Sequence, residues 1–287
     1  MTSVAERLTA ARRRLEAAGL GAADAALDAE VIARHILGWD RADLIVRGRD
    51  PEPADFPARF DALVARRAAR EPVAQIIGSR EFWGLEFEVT PDVLIPRPET
   101  EIVVEEALAF AAAHPCRNVI DVGTGSGCLA VSIAHELPDL HVTAVDASAA
   151  ALEVARRNAA RHGVEDRVTL HHGDVLEGFS GRADLIVSNP PYVPDADAAF
   201  MQEDVVRYEP YMALFGGSTG FEVIERLFRQ APDHLAPGGQ LIVEFGFGQA
   251  EQVKTLAEAA GWRIVRVRDD LQSIPRTIVL AEQDTDG

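Results

Sequence analysis

Four consecutive residues, Asn189-Pro190-Pro191-Tyr192, carry the clearest chemical signal in this chain. They follow an apolar run, residues 183–188, whose pattern predicts a buried strand. Oδ1 of Asn189 and the carbonyl oxygen of Pro190 are two acceptors that can hold both protons of a planar amino group, and the ring of Tyr192 offers a stacking surface. The motif predicts a site that aims the nitrogen lone pair at an electrophile; Asn-Pro and Pro-Pro also form ordinary turns.

A glycine loop lies upstream, at Gly123-Thr124-Gly125-Ser126-Gly127. It follows a short apolar strand, residues 118–122, and precedes a helical stretch, residues 129–137. Glycines without a Cβ let the backbone approach a ligand closely. A dinucleotide fingerprint requires G-x-G-x-x-G, but Cys128 stands where its third glycine would be. The spacing therefore argues against NAD or FAD.

Acidic residues accompany this loop at the ends of successive predicted strands. Asp121 stands before the first glycine, and Asp146 ends the next strand. We expect Asp146 to accept hydrogen bonds from both hydroxyls of a ribose, and Asp174, with Val175 beside it, to receive the amino group of an adenine. A single Asp at a strand end is more often a cap or turn residue, but three in register with a glycine loop indicate a nucleoside cofactor.

Charge is distributed unevenly along the 287 residues. The chain has 28 basic and 46 acidic side chains, a formal net charge of −18. Residues 1–75 contain 12 basic and 12 acidic side chains. Residues 76–287 therefore hold the whole excess of negative charge, with 16 basic and 34 acidic side chains. Because nucleic-acid affinity comes largely from clustered Lys and Arg, this distribution disfavours a direct nucleic-acid partner.

Several classes of protein are not expected. No apolar run approaches the roughly 20 residues of a membrane span, and the N-terminus lacks the apolar stretch of a signal peptide. We therefore expect a cytoplasmic protein with no membrane association. Cys116 and Cys128 are too few for a disulfide framework and are expected to stay reduced. The eight histidines show no ligand spacing, so no metal site is expected.

The elements that must position these residues fall into three parts. Residues 1–75 predict a small helical bundle, residues 76–98 a β-hairpin linker, and residues 99–287 an α/β domain. Helices are expected at residues 4–18, 25–37, 56–70 and 99–114.

Seven strands alternating with helices predict a doubly wound, Rossmann-like sheet in the α/β domain. The last two strands, residues 263–268 and 276–280, are joined by too few residues for a helical crossover, so an antiparallel edge strand is expected. Open α/β sheets place ligands at the carboxyl ends of their strands, where the motifs above lie.

The glycine loop, Asp146 and the Asn189–Tyr192 motif together resemble class I S-adenosylmethionine-dependent methyltransferases that act on planar amino groups. More closely, the chain resembles the peptide chain release factor N5-glutamine methyltransferase family (PrmC/HemK). The runs that carry this resemblance are Arg70–Gly78, Arg80–Gly84, Leu94–Glu101, Arg207–Pro210 and Ala213–Gly217. It extends over nearly the whole chain, and Pro96–Glu101 is its most discriminating part.

The resemblance implies a function and its partners. It implies transfer of a methyl group from S-adenosylmethionine to the side-chain amide of the glutamine in the Gly-Gly-Gln motif of class I release factors, with the helical domain docking that protein. Asn189 would be the principal catalytic residue, assisted by Pro190 and Tyr192. We interpret Arg97, Glu99 and Thr100 as caps of the following helix rather than as the cofactor entrance. A monomer is expected.

Three alternatives stay open from sequence. A glutamine of a ribosomal protein is a different acceptor for the same chemistry, and adenine N6 of nucleic acid is another, because the Asn189–Tyr192 motif also occurs in adenine methyltransferases. Reaching a base requires flipping and a basic groove, which the charge distribution does not provide. A non-catalytic release-factor adaptor with a vestigial cofactor pocket is the third, and the intact glycine loop argues against it.

Overall fold

The computed structural model describes residues 2–283, which form two compact units. One unit comprises residues 2–79 and 202–208, and the other comprises residues 80–201 and 209–283. Within this described part, no helix has the length and apolar character needed to cross a bilayer.

The first unit is a bundle of short helices around its own apolar core. Its helices are α1 (Val4–Ala17), α2 (Ala22–Leu37), α3 (Arg41–Arg47), α4 (Phe56–Ala68) and α5 (Val73–Ile77). Leu15, Ile32 and Phe60 are fully buried between them. The sequence predicts α1, α2 and α4 but misses α3, which a capping box between Asp40 and Asp43 begins.

The second unit is built on a seven-stranded sheet. The strands of the chain are β1 (Ser79–Phe82), β2 (Leu85–Glu88), β3 (Asn118–Val122), β4 (His141–Asp146), β5 (Val168–His172), β6 (Ala183–Ser188), β7 (Leu235–Glu244), β8 (Trp262–Asp269) and β9 (Pro275–Glu282). Strands β1 and β2 form a separate hairpin, and the large sheet has the order β5-β4-β3-β6-β7-β9-β8. The predicted seven-stranded doubly wound sheet with an antiparallel last strand is confirmed.

The antiparallel strand is not at the edge of the sheet, however, so that part of the prediction is wrong. Strand β9 pairs with both β7 and β8, and β8 forms the edge. The short connection between β8 and β9 dictates only that they pair with each other. Burial decides the order, because Ile278, Val279 and Leu280 are fully buried, whereas β8 carries Arg266 and Arg268, which a half-exposed edge tolerates.

Helices cover both faces of this sheet. They are α6 (Glu101–Ala113), α7 (Cys128–Glu136), α8 (Ala149–Arg161), α10 (Tyr211–Leu214), α11 (Glu222–Gln230) and α12 (Ala250–Ala259), while α9 (Glu203–Tyr208) belongs to the first unit. Val103 of α6 and Ile133 of α7 contribute to the core on one face, and Phe228 of α11 and Val253 of α12 to the core on the other. These layers make the sheet a rigid frame for its exposed carboxyl edge.

Helix α9 packs onto the bundle through buried polar contacts within the first unit. Arg67 is only 7% exposed and pairs with Asp28 at 2.6 Å and with Asp204 of α9 at 3.3 Å. Gln75 Nε2 donates to the carbonyl of Tyr208, the last residue of α9, at 2.9 Å. Helix α9, which lies between β6 and β7 in the sequence, is thereby held within the first unit.

The strand order reverses around β3, and this reversal places the site. Strands β4 and β6 flank β3 on opposite sides, both parallel to it. The connections that leave β3 and β6 therefore run to opposite sides, which opens a crevice at their carboxyl ends. Val122 pairs with Ser188 in the register, so the residues that follow, Gly123 and Asn189, come together at the crevice.

Candidate active site

A cavity of about 450 Å³ opens at this crevice, within the size range of small-molecule sites. Its walls combine part of the glycine loop, the carboxyl ends of neighbouring strands and the first three residues of the Asn189–Tyr192 motif. Of the residues predicted to bind ligand, eight line it: Gly123, Gly125, Asp146, Asp174, Val175, Asn189, Pro190 and Pro191. Thr124, Ser126, Gly127 and Tyr192 do not.

Gly123 and Gly125 have φ angles of 74° and 55°, in the left-handed region that favours glycine. A Cβ on Gly125 would meet nothing within 4 Å, and one on Gly123 would lie 4.0 Å from the carbonyl oxygen of Asn189. These two glycines therefore keep the cavity open to ligand. Gly127 has a packing role, since a Cβ there would lie 3.1 Å from Cβ of Ala155 in α8.

Asp146 organises the glycine loop from the end of β4. Its two carboxylate oxygens accept hydrogen bonds from the backbone N–H groups of Gly125 and Ser148, each at 2.8 Å. Burial raises the pKa of Asp146. Each oxygen retains a further lone pair, so the carboxylate can still accept from a ligand hydroxyl while it holds the loop.

Asp174 and Val175 form the opposite wall after β5. Asp174 is exposed and accepts from Arg226 at 2.5 Å. Val175 is buried and has a φ of 57°, which a β-branched residue rarely adopts. With Asp92 and Asp146, the cavity lining holds three carboxylates against the one guanidinium of Arg226. This lining therefore favours a cationic ligand.

Asp121 lies beneath the loop and is completely buried. Oδ2 accepts from the Thr124 hydroxyl at 2.6 Å and from the backbone N–H of Ala130 at 3.2 Å, while Oδ1 has no partner among residues 2–283. Burial raises the pKa of Asp121 to about 7. A buried carboxyl with one orphaned oxygen next to a ligand cavity is typical of a functional site rather than of a core.

Asn189 is half-buried, and its amide has a defined orientation. Nδ2 donates to Oγ1 of Thr100 at 2.9 Å. No donor from residues 2–283 reaches Oδ1 of Asn189 or the carbonyl oxygen of Pro190. Both acceptors of the predicted pair are therefore available to a ligand in the cavity that these residues line.

Tyr192 lies behind the cavity instead of in its wall. Its hydroxyl donates a long hydrogen bond of 3.4 Å to Oε1 of Glu244, and its backbone oxygen accepts from Gln249 at 2.8 Å. Burial raises the pKa of the Tyr192 phenol. The ring borders a second, open depression, where Phe247 is 75% exposed. Tyr192 therefore anchors the motif from behind, at the rim of this second surface.

The capping role predicted for Arg97 and Thr100 is wrong. No side-chain capping hydrogen bond is present at either residue, and neither they nor Glu99 line the cavity. Arg97 instead contacts the buried carboxylate of Glu209 at 2.5 Å, and Thr100 contacts Asn189. The Pro96–Glu101 run marked this segment as distinctive, but sequence alone gave no sign that its partners lie about a hundred residues away.

Two protein-family models match the chain. The model described as "PrmC N-terminal domain" matches residues 6–78, and the model described as "Methyltransferase small domain" matches residues 103–209. The first match covers the helices of the bundle, and the second covers the glycine loop and the Asn189–Tyr192 motif.

Relatives match over nearly their full length. The chain is 44% identical over 274 residues to the release factor glutamine methyltransferase of Cereibacter sphaeroides, covering 96% of each chain. It is 48% identical over 259 residues to the protein of the same name from Burkholderia pseudomallei, covering 88% of this chain and 90% of that one.

A solved structure shares the fold at low identity. The 16S rRNA N2 G1207 methyltransferase RsmC of T. thermophilus, in complex with AdoMet and guanosine, is 18% identical and superposes with a TM-score of 0.52. The match covers 71% of this chain and 50% of that one.

Proposed function

The chain belongs to the release factor glutamine methyltransferase family, and we propose that it methylates the side-chain amide nitrogen (N5) of the glutamine in the Gly-Gly-Gln motif of class I peptide chain release factors. The methyl donor is S-adenosylmethionine. One observation carries the proposal. The amide of Asn189 donates through Nδ2 to Thr100, so Oδ1 of Asn189 and the carbonyl oxygen of Pro190 both remain without a donor from the described residues, on two residues that line the cavity.

The residues of the cavity fit S-adenosylmethionine. Gly123 and Gly125 leave space where a side chain would stand, and Asp146 retains acceptor capacity for ribose hydroxyls. The excess of carboxylates in the lining suits a cofactor that carries a positive sulfur. When bound, that sulfonium supplies an activated methyl group. RsmC, which shares this fold, was solved in complex with AdoMet, and this supports the proposed cofactor.

The chemical difficulty is the acceptor, because the nitrogen lone pair of a carboxamide is delocalised into its carbonyl group. Oδ1 of Asn189 and the carbonyl oxygen of Pro190 would each accept one N–H of the glutamine amide. Both hydrogen bonds strengthen as positive charge develops on the nitrogen, and together they hold that nitrogen in line with the methyl group. The surplus proton can leave to water after transfer, so no strong general base is required.

The helical unit would dock the protein substrate. Its charge is balanced, unlike that of residues 76–287, and α9 returns to it from the segment that follows the Asn189–Tyr192 motif. We retain the proposed division into a docking domain (residues 1–75), a hairpin linker (76–98) and a methyltransferase domain (99–287). A release factor as substrate also implies a cytoplasmic enzyme, which we propose acts as a monomer.

Mass spectrometry of an incubated release factor tests the proposal. With enzyme and S-adenosylmethionine, we expect a gain of about 14 Da, the signature of one added methyl, on the glutamine of the Gly-Gly-Gln motif and nowhere else. A release factor with that glutamine replaced by glutamate is the matched control and should gain nothing. Ribosomal proteins and duplex DNA, incubated in parallel, test the two other acceptors. Methylation of either in place of the release factor would overturn the substrate assignment.

A further inference from the structure

A buried carboxyl group lies behind the Asn189–Tyr192 motif without a role in the mechanism so far. Glu244 ends β7 and is 1% exposed. Oε1 accepts only the long hydrogen bond from Tyr192, and Oε2 has no hydrogen-bond partner among the described residues. An incompletely paired buried carboxylate is costly, so its presence beside a catalytic motif calls for a functional explanation.

Thr100 connects this carboxyl group to Asn189. Thr100 is 2% exposed, and its hydroxyl accepts a hydrogen bond from Nδ2 of Asn189 at 2.9 Å. The same hydroxyl also acts on Glu244: it lowers the pKa of that carboxyl group, while burial, the larger effect, raises it. Thr100 therefore stands between the two side chains.

The donors and acceptors of this chain of contacts allow only one arrangement while Glu244 is ionised. A carboxylate can only accept, so the single proton of the Thr100 hydroxyl would be directed toward the unpaired Oε2 of Glu244. The oxygen of Thr100 is then left to accept, and it can accept only from Nδ2 of Asn189. An unconstrained asparagine can turn its amide by half a rotation, which would present an NH2 group to the NH2 group of the substrate and block the site.

We propose that Thr100 and Glu244 are positioning residues that fix the amide of Asn189 with Oδ1 toward the substrate. This inference rests on the proposed function and assigns roles to two residues that do not line the cavity. It also explains why a carboxyl group is kept in the core beside the motif. Only a group that cannot donate sets the donor-to-acceptor direction of the hydrogen bonds that run from Asn189 through Thr100 to Glu244.

Protonation of Glu244 removes this constraint. Burial raises the pKa of Glu244 to about 7, and the charged or titratable groups that act on it are Glu99, which raises it, and Arg276 and Tyr192, which lower it. A protonated Glu244 can donate to Thr100, whose own proton is then free to meet Oδ1 of a turned Asn189. The rate of methyl transfer should therefore rise with pH through about 7.

Thr100→Val and Thr100→Ser form a matched pair for the test. Valine keeps the shape and removes the hydroxyl, whereas serine keeps it. We expect Thr100→Val to lower kcat by about 10- to 100-fold, with KM for the release factor and affinity for S-adenosylmethionine nearly unchanged, because the lost contact acts on the orientation of a catalytic group. Thr100→Ser should keep kcat close to that of the wild type.

Glu244→Gln provides a second readout that does not depend on the folding of the valine variant. Glutamine can donate as well as accept, so the variant should lose the rise of kcat through about pH 7 that the wild type shows. Equal kcat for Thr100→Val and Thr100→Ser, or an unchanged pH profile in Glu244→Gln, would overturn the inference. Wild-type enzyme that methylates no release factor would instead refute the proposed function, so the two failures are distinct.

Discussion

Replacing Asn189 with alanine removes one of two acceptors in the proposed mechanism and leaves the other, the carbonyl oxygen of Pro190, in place. Loss of one such contact to a developing charge typically lowers kcat by about 10²- to 10³-fold, and we expect that loss here. The variant also leaves the buried hydroxyl of Thr100 without its 2.9 Å partner, which should lower the free energy of unfolding by about 1–3 kcal/mol. Cofactor affinity should fall by less than about tenfold, because Asn189 is one lining residue among many.

The assay is transfer of a labelled methyl group from S-adenosylmethionine to a release factor at saturating concentrations of both, with cofactor affinity measured separately by titration calorimetry. Asn118→Ala is the control, since Asn118 is exposed at the start of β3 and does not line the cavity. Asn118→Ala should leave both the rate of methyl transfer and the cofactor affinity unchanged. If Asn189→Ala lowered cofactor affinity as much as the rate, Asn189 would be a structural residue of the cavity and the reasoning would fail.

Three further outcomes are expected. Asp146→Ala should lower cofactor affinity in calorimetry by about 10²-fold, as two charge-assisted contacts are lost, while kcat at saturation changes less; the reverse pattern would refute its role. Arg67→Ala should lower the free energy of unfolding by about 3–5 kcal/mol in denaturant titrations, because it leaves the largely buried carboxylates of Asp28 and Asp204 without their partner; a change below about 1 kcal/mol would mean a solvated pair. Burial raises the pKa values of Asp121 and Glu244 to about 7, so the folded state holds these protons more tightly than the unfolded state and stability should fall as pH rises from about 4 to 7. Glu244→Gln should make that decline shallower, and stability that increased over this range would contradict the assignment.

Much of the sheet was predictable, because its strands are apolar runs separated by clear helical stretches. Strand β6 begins and ends where the sequence predicts, and the glycine loop follows β3 as expected. The order of β8 and β9 was not predictable, since a short connection establishes that two strands pair but not which of them pairs with β7. That choice depends on burial against the helices, which hydrophobic pattern alone does not resolve.

The candidate site was predictable where its residues follow strands in the sequence. Asn189, Pro190 and Asp146 all lie at the cavity because parallel strands bring their carboxyl ends to one edge. Thr100 was misinterpreted as a helix cap because a threonine at the start of a helix usually is one. Its actual partner, Asn189, is 89 residues away, and only the packing of α6 beneath β6 brings the two side chains together.

A crystal structure with S-adenosylhomocysteine and a peptide containing the Gly-Gly-Gln motif tests the central claim most directly. The account predicts that the side-chain nitrogen of the glutamine lies within about 2.7–3.2 Å of both Oδ1 of Asn189 and the carbonyl oxygen of Pro190, with its free face toward the sulfur of the cofactor. A glutamine held by other groups, or an Asn189 amide that presents Nδ2 to the substrate, would contradict it.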